Sequence, residues 1–262
     1  MQEAVDRTPV TSAPPASQVF SRRVIENFAL LAILFTVWWF ASFHFVVPAP
    51  LLTFSSLIES FTQGWIIPHL VSTFQAVLIG FFLAVLLGAG AGLALGLTPF
   101  LREVFEPMIF AAYSVPKLII FPVILLFMGI GLASKSTMGF IHGAFPIIIN
   151  TLVAVAEVNP IYLKVGKSVG ANRWQTFTKI ILPAIVPAFL VGIRVGFSLT
   201  ILGVIISELV AAEKGMGLKV MQSYAVFDLP RMYATILTLF AVAIAGNIIF
   251  WALEKRIRGR IA

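Results

Sequence analysis

Long uninterrupted apolar windows are the feature that most restricts how this chain can fold. Residues 76–97 contain no charged or strongly polar side chain, and further windows of the same kind follow. About 18 or more consecutive apolar residues are enough for a helix to cross the hydrocarbon core of a bilayer. Strands of a membrane barrel would alternate with a period of two, which these windows do not. The windows therefore predict an all-α, polytopic membrane bundle.

Composition supports the same class, because 60% of the residues are hydrophobic and 11% are charged. A soluble domain of this size could not bury that much apolar surface. The first 23 residues are too polar for a signal-peptide core and predict a flexible cytoplasmic tail, 1–23, before a membrane domain over 24–254. We expect about six spans, at roughly 24–46, 71–97, 105–128, 136–157, 184–211 and 233–253.

The distribution of basic residues predicts the orientation. Most of the 18 lysines and arginines fall on the side of the amino terminus, which the positive-inside rule places in the cytoplasm. Both termini are then cytoplasmic, including a basic carboxyl-terminal segment, 255–262, and residues 158–183 form the longest cytoplasmic loop. The cations expected outside are Lys135, Lys214, Lys219 and Arg231. Glu208 and Glu213, also near the outer end, either balance Lys214, meet an external partner or are simply solvated.

Several function classes find no support in the sequence. The chain has no cysteine, and its three histidines are far apart and form no HxxxH or HExxH pair, so neither a metal site nor a catalytic constellation is predicted. The net charge of +7 is explained by membrane topology rather than by nucleic-acid binding. An ion-coupled secondary carrier stays open as an alternative, although such carriers usually place acidic residues in mid-span, where this chain has few.

The loop around "VGKSVGANRWQTFTKIILPAIVP", residues 165–187, is basic and glycine-punctuated. Its GKS is not a phosphate-binding loop, because Ile161 stands where that loop requires glycine. Asn159 before Pro160 predicts a capped helix over about 160–169 that Gly170 ends in a left-handed turn. Asn172 with Gln175 has the form of a capping box and predicts a second helix toward Pro183.

A resemblance to a known family appears here. Gly170, nine intervening residues and then Ile180-x-Leu182-Pro183 resembles the cytoplasmic signature of permease subunits of binding-protein-dependent ABC importers. "GANRWQTFTKIILPAIVPAFLVGIR" is similar to the nitrate, sulfonate and taurine branch, and the "FMGIG" and "SELVAAEKGMG" runs extend the likeness over nearly the whole chain. The chain departs from the family at the front of the signature, where Lys164, Val165 and Gly166 replace Glu-Ala-Ala.

The resemblance implies the type I ABC importer permease fold with a cytoplasmic coupling helix, in a bacterial inner membrane. It implies a non-catalytic transport subunit that conducts a small, anionic solute of the nitrate, sulfonate or organic-acid class. The implied partners are a second permease copy, two copies of a cytoplasmic ATPase that carries ATP and Mg, and an extracytoplasmic binding protein. No cofactor is expected on this chain.

The resemblance also implies that residues 158–183 dock into the ATPase. The alternative is an amphipathic loop lying against anionic lipid headgroups. Trp174 and Phe177 supply apolar anchors, with cations around them. The candidate coupling residues are Lys164, Lys167, Gly170, Ala171, Arg173, Trp174, Phe177, Ile180, Leu182 and Pro183.

Candidates for the substrate pathway are ionisable residues inside spans, where a charge costs at least about 2.5–3.5 kcal/mol and needs a partner. Arg194 either binds an anionic solute or forms a structural ion pair, with Ser198 one turn away. Lys117 follows Pro116, which should break the third span. It either faces the pathway, with Tyr113 and Ser114 beside it, or snorkels to an interface.

Two further patterns predict packing. Gly80, Ala84, Gly88, Gly92 and Gly96 place a small residue at every fourth position of the second span, which favours close helix packing within one subunit over a dimer face. Apolar residues at helical spacing in 51–63 predict a short amphipathic helix on the outer membrane surface.

Overall fold

The computed structural model describes the backbone of residues 16–261 and the side chains of residues 25–257. All regular structure in that range is helical. The helices are α1 (Ala16–Ala41), α2 (Pro50–Thr62), α3 (Ile66–Leu97), α4 (Pro99–Ser114), α5 (Phe121–Met128), α6 (Leu132–Ala156), α7 (Pro160–Ser168), α8 (Arg173–Thr176), α9 (Leu182–Val210), α10 (Met216–Ala225) and α11 (Leu229–Ile261).

The chain divides into two compact units at residue 53. The first unit contains α1, which begins within the predicted tail and ends at Ala41 rather than at residue 46. The indole of Trp38 donates to the Pro48 carbonyl at 3.2 Å, which holds the segment after α1 against that helix. Residues 1–15 of the predicted tail lie outside the described residues.

The second unit is built on α6, which packs between α3 and α9. The five small residues of the predicted stripe, Gly80, Ala84, Gly88, Gly92 and Gly96, are buried and face α6, as predicted for packing within one subunit. A β-carbon added at Gly92 would lie 2.6 Å from Cβ of Thr151, and one added at Gly96 would lie 2.7 Å from Cβ of Val155. The two backbones therefore approach so closely that only glycine fits at these positions, and the dimer-face alternative is not needed.

The opposite side of α6 meets α9 through a second set of glycines. A β-carbon at Gly143 would lie 2.9 Å from the Gly196 carbonyl, and one at Gly203 would lie 2.8 Å from the Met138 carbonyl. One turn beyond Gly143, Ile147 packs against Gly196 of α9 and forms a small apolar cluster with Ala84 and Ala144. Because glycines line both sides of α6, the three helices α3, α6 and α9 form one tightly packed layer.

Four helices are long and apolar enough to cross a membrane: Ile66–Leu97, Leu132–Ala156, Arg173–Val210 and Leu229–Ile257. The predicted third span, 105–128, is not one straight helix. The helices α4 and α5 are bent by 85° around the break at Pro116, so this pair is a broken span or a re-entrant loop. The break at Pro116 was predicted; the size of the bend was not. The apolar part of α1, Ile25–Ala41, is shorter than the four.

The predicted amphipathic helix over 51–63 is present as α2. Its large apolar side chains Leu51, Phe54, Ile58 and Phe61 are exposed, and its small polar residues Thr53 and Ser60 are buried. The exposed side also carries Ser55, Glu59 and Thr62, and Leu57 is half-buried, so the exposed face is mostly but not purely apolar. Its place on the outer membrane surface stays a prediction.

We expect Gly92→Ala and Gly90→Ala to change stability in opposite directions. The added methyl at Gly92 collides with Thr151, and overpacking of this kind costs about 1–3 kcal/mol. Gly90 lies on the same helix with nothing within 4 Å of an added β-carbon, so alanine there gains up to about 1 kcal/mol of helix propensity. Thermal unfolding of both variants in detergent measures the difference, and equal behaviour would contradict the packing described for α3 and α6.

Candidate functional site

The predicted coupling segment, residues 158–183, begins with the capped helix that the sequence indicated. The side chain of Asn159 accepts from the Ile161 N–H at 2.9 Å, and Pro160 occupies the first helical position. Gly170 has a φ of +72°. Its N–H donates to the Lys167 carbonyl at 3.1 Å, and the Ala171 N–H donates to the Gly166 carbonyl at 2.9 Å. This is the Schellman arrangement, in which glycine supplies the left-handed residue that closes the helix.

The second helix begins with the predicted capping box. The Gln175 N–H donates to Oδ1 of Asn172 at 2.8 Å, and the Asn172 N–H donates to Oε1 of Gln175 at 2.9 Å. This helix does not end near Pro183, because α8 passes through a π-helical turn, Phe177–Ile181, directly into α9. The Leu182 N–H reaches the carbonyl of Phe177, five residues back. This wider turn lets the helix pass through a proline that has no N–H of its own to donate.

The two halves of the coupling segment pack against each other at Gly166. A β-carbon there would lie 2.6 Å from Cδ1 of Ile180. Gly166 is buried, and Ala171, Phe177 and Ile180 are half-buried. Three of the ten candidate coupling residues, Ala171, Phe177 and Ile180, therefore lie mostly inside the segment, where they fix α7 against the start of the long helix.

The other candidates form an exposed surface. Lys164, Lys167, Arg173 and Trp174 are all exposed, and the Trp174 ring lies 5.9 Å from that of Phe177. The apolar part of this surface was not predicted from the sequence; it consists of Ile161, Tyr162, Val165 and Val169. The signal was available, because residues 161, 165 and 169 are four apart and share one face of α7. We call these eight exposed residues the coupling surface; Gly170 forms its turn, and Leu182 and Pro183 lie exposed beside it.

Lys117 lies at the break between α4 and α5. Its Nζ donates to the Tyr113 carbonyl at 2.8 Å and lies 4.6 Å from the Tyr113 ring centroid and 4.9 Å from that of Phe145. The carbonyl is one of those left open where α4 ends, so the cation caps the broken helix. The hydroxyl of Ser114 instead donates to the Phe110 carbonyl. Lys117 therefore contacts Tyr113, whereas the Ser114 hydroxyl is bonded within its own helix.

Arg194 has the ion-pair partner that its depth in the span required. Its guanidinium lies 3.3 Å from Oε2 of Glu254 on α11. One turn further along, the Ser198 hydroxyl donates to Oδ1 of Asn247 at 3.0 Å, which also joins α9 to α11. These contacts favour the structural alternative for Arg194. The described contacts do not connect Arg194 with Lys117, so the pathway candidates do not form a single site.

A buried polar cluster that was not predicted from the sequence lies at the other end of α9. Glu208 is 1% exposed, and its carboxylate accepts from Nζ of Lys135 at 3.0 Å, from the Thr73 hydroxyl at 2.8 Å and from the Gly217 N–H at 3.1 Å. The other two protons of Lys135 go to Oγ of Ser72 and to the Lys214 carbonyl. Lys135, expected to be an external cation, is therefore buried, and Glu208 pairs with it rather than with Lys214.

The "SELVAAEKGMG" run is explained by this cluster. Both Gly215 and Gly217 lie against the Glu208 side chain, and a β-carbon at either would collide with it. The Gly215 N–H donates to Nδ1 of His69 and the Met216 N–H donates to Oγ1 of Thr73. The buried carboxylate thus fixes the turn that leads from α9 into α10. Among the described residues, no group of three His, Asp or Glu side chains is arranged to hold a metal ion.

Comparisons with known proteins agree with this architecture. The family described as "Binding-protein-dependent transport system inner membrane component" matches residues 80–259. The chain is 28% identical to the taurine transport system permease protein TauC of Escherichia coli, covering 90% of each protein. It is 31% identical to the putative aliphatic sulfonates transport permease protein SsuC of Bacillus subtilis, covering 75% of this chain and 71% of the relative.

A third relative, the riboflavin transport system permease protein RibX of Chloroflexus aurantiacus, is 26% identical over 80% of this chain and 79% of its own length. Among solved structures, the inward-facing MetNI methionine ABC transporter superposes with a TM-score of 0.64. The sequence identity is 17%, and the match covers 77% of this chain and 98% of that chain, so it shows a shared fold.

We expect Lys135→Met to destabilise the protein by about 3–5 kcal/mol, because it leaves the Glu208 carboxylate buried without a countercharge. The double variant Lys135→Met/Glu208→Gln should recover part of that loss, since the remaining side chain is neutral. Thermal unfolding of Lys135→Met, Glu208→Gln and the double variant in detergent forms the double-mutant cycle that measures the coupling between the two residues. Additive losses would show that the ion pair does not hold the cluster together.

A charge exchange tests whether Arg194 is structural. If the residue serves to pair with Glu254, the double variant Arg194→Glu/Glu254→Arg should keep more stability and activity than either single variant. If Arg194 instead binds an anionic solute, the exchange removes the cation from its place and activity stays lost. Thermal unfolding and solute uptake by reconstituted protein distinguish the two cases.

Proposed function

This chain belongs to the family of binding-protein-dependent transport system inner membrane components, and from that membership we propose how it works as a permease subunit of an ABC importer. Its spans form the route for the solute, and the chemical step, ATP hydrolysis, takes place on a partner ATPase. The coupling surface of α7 and α8 docks on that partner. The observation that carries this proposal is the rigid, exposed coupling surface continuous with a membrane span.

The coupling surface has the properties of a protein interface. It combines a tryptophan, a tyrosine and aliphatic side chains with three cations, Lys164, Lys167 and Arg173. Aromatic and arginine residues are the ones that most often dominate binding energy at interfaces. Lys164 stands where the family signature has an acid, so we propose that the matching position on the ATPase is acidic or neutral.

The geometry supplies a route by which the partner moves the spans. Since α8, the π-helical turn and α9 form one helix over Arg173–Val210, displacement of the coupling surface displaces the span itself. ATP binding shifts the balance between two arrangements of the spans only if the ATPase contacts the permease differently in each. We propose that the coupling surface provides that difference.

The proposed assembly has two copies of this chain, two copies of the ATPase carrying ATP and Mg, and an extracytoplasmic binding protein. Both termini and residues 158–183 face the cytoplasm, in keeping with the basic residues on that side. The turn 211–215 and α10 then lie at the outer end, where a binding protein delivers solute.

We propose a small anionic solute of the sulfonate, nitrate or organic-acid class. Two relatives are named for taurine and aliphatic sulfonates, which supports a sulfonate, whereas a third is named for riboflavin. A ligand screen on the binding protein that works with this permease tests the class directly. Selection of an uncharged solute would contradict it.

The ion-coupled carrier is not favoured. Such a carrier needs a titratable group that changes its state during transport. The two carboxylates buried in the described spans, Glu208 and Glu254, are both engaged by cations. Reconstitution in liposomes distinguishes the two mechanisms, because uptake by this chain alone without ATP supports the carrier, and dependence on a copurified ATPase supports the permease.

We expect Trp174→Ala to uncouple ATP hydrolysis from uptake while leaving the protein in the membrane. Trp174 is 71% exposed, so its loss weakens docking without opening a cavity. Phe82→Ala, which removes an aromatic side chain that is 65% exposed on α3, is the matched control and should transport normally. ATPase activity and solute uptake are measured together in proteoliposomes, and normal uptake by the Trp174 variant would contradict docking at this surface.

The turn gives a second test of the same surface. An added β-carbon at Gly170 meets nothing within 4 Å, so a substitution there acts only through the left-handed backbone. Gly170→Asp and Gly170→Val should both impair coupling, with valine the worse, because β-branched residues tolerate a positive φ poorly. Gly170→Asn should be the mildest, since asparagine visits this conformation readily. The ratio of ATPase activity to solute uptake should therefore rise from Gly170→Asn through Gly170→Asp to Gly170→Val.

A further inference from the structure

A separate cavity of about 240 Å³ lies at the end of the bundle away from the coupling surface. Its walls come from the residue before α3, from α10, from the connection 226–228 and from the first turn of α11. The residues that matter for its chemistry are Trp65, Lys219, Ser223, Asp228 and Arg231. All of them belong to the second compact unit.

The cavity carries an excess positive charge. Nζ of Lys219 lies 5.6 Å from the centroid of the Trp65 ring, and Cζ of Arg231 lies 5.3 Å from it. Arg231 is paired with Asp228 at 3.5 Å. Lys219 has no carboxylate within ion-pair distance among the residues that the structure describes. Two cations and one anion therefore face the same small space, which leaves a single positive charge to be balanced.

Trp65 contributes an unused hydrogen-bond donor. Its indole Nε1 is fully buried and has no acceptor. Buried tryptophan N–H groups usually find a partner, and leaving such a donor unpaired costs free energy. Because Nε1 is covered, an acceptor in the adjoining cavity would satisfy it only after a shift of the ring exposes the N–H. A cation in the cavity would not, since it offers no acceptor and would meet Lys219 and Arg231.

The rim of the cavity stores backbone strain. Phe227 has a φ of +60°, although α10 ends there in a turn that glycine normally closes. The Asp228 N–H donates to the Ser223 carbonyl at 2.9 Å and the Phe227 N–H donates to the Tyr224 carbonyl at 3.0 Å. A bulky residue in this conformation is unfavourable and is found where the surroundings demand it, often at ligand sites. Here it fixes the position of Asp228 and, through it, of Arg231.

We propose that this cavity binds a singly charged oxyanion group, a sulfonate, carboxylate or phosphate. The anion accepts from the Lys219 ammonium and the Arg231 guanidinium, and from the Trp65 indole N–H once the ring shifts to expose it. The volume is below that of most sites for drug-sized molecules and suits one small solute or one headgroup. The anion comes either from a free solute or from a phospholipid. The site is independent of the solute proposed for transport.

Tryptophan fluorescence of the purified chain in dodecyl maltoside tests the free-solute source. Methanesulfonate, acetate and inorganic phosphate are the probes, and a saturable change that Trp65→Phe abolishes is expected. Lys219→Gln should weaken binding about tenfold or more, because it removes a charged hydrogen-bond donor. Lys214→Gln is the matched control: it removes one exposed positive charge from the same end of the molecule and should leave binding unchanged.

Native mass spectrometry tests the lipid source. With phosphatidylglycerol added, one retained lipid per chain is expected in the parent and in Lys214→Gln but not in Lys219→Gln, and excess phosphate should compete for the site. Lys219→Arg keeps the positive charge and should therefore keep binding in either experiment. Retained binding shows that Lys219→Gln acts by removing the charge and not by unfolding the protein. If neither the soluble anions nor the lipid shows binding that depends on Lys219, the proposal is wrong.

Discussion

The close approach of α6 to its two neighbours is the constraint on which the rest of the structure depends. Lipid gives helices little hydrophobic reason to associate, so packing must come from contact between surfaces that fit closely. Glycines on α3 meet one side of α6, and glycines on both α6 and α9 form the other contact. With the three helices fixed in this way, the ends of α9 are fixed too, the coupling segment at one end and the buried Lys135–Glu208 cluster at the other.

Much of the architecture was predictable because its causes are local. Helix caps, the left-handed Gly170 and the stripe of small residues depend on neighbours a few positions away, and the structure contains each of them. The sequence also indicated the break at Pro116 and the need of Arg194 for a partner. What that partner was could not be deduced, because Glu254 lies on a different helix.

The failures have the opposite origin. Lys135 and Glu208 are 73 residues apart, and each has the composition and position of a solvated charge near a membrane surface. Only the fold shows that they share a site from which water is excluded. The π-helical turn before Pro183 was not predicted for another reason, since such a turn leaves no mark in composition. The exposed apolar face of α7 could have been predicted, because its residues recur at a spacing of four.

The length of the helix over Arg173–Val210 has a mechanical consequence. Its 38 residues extend about 57 Å at 1.5 Å per residue. The hydrocarbon core takes up about 30 Å, which leaves roughly 27 Å outside it if the helix stands upright. If all of that excess lies beyond one side of the core, a tilt of about 10° displaces the tip of the helix by about 5 Å. Small rotations within a tightly packed bundle are therefore compatible with displacements of several ångströms at the end of the helix that carries the coupling surface.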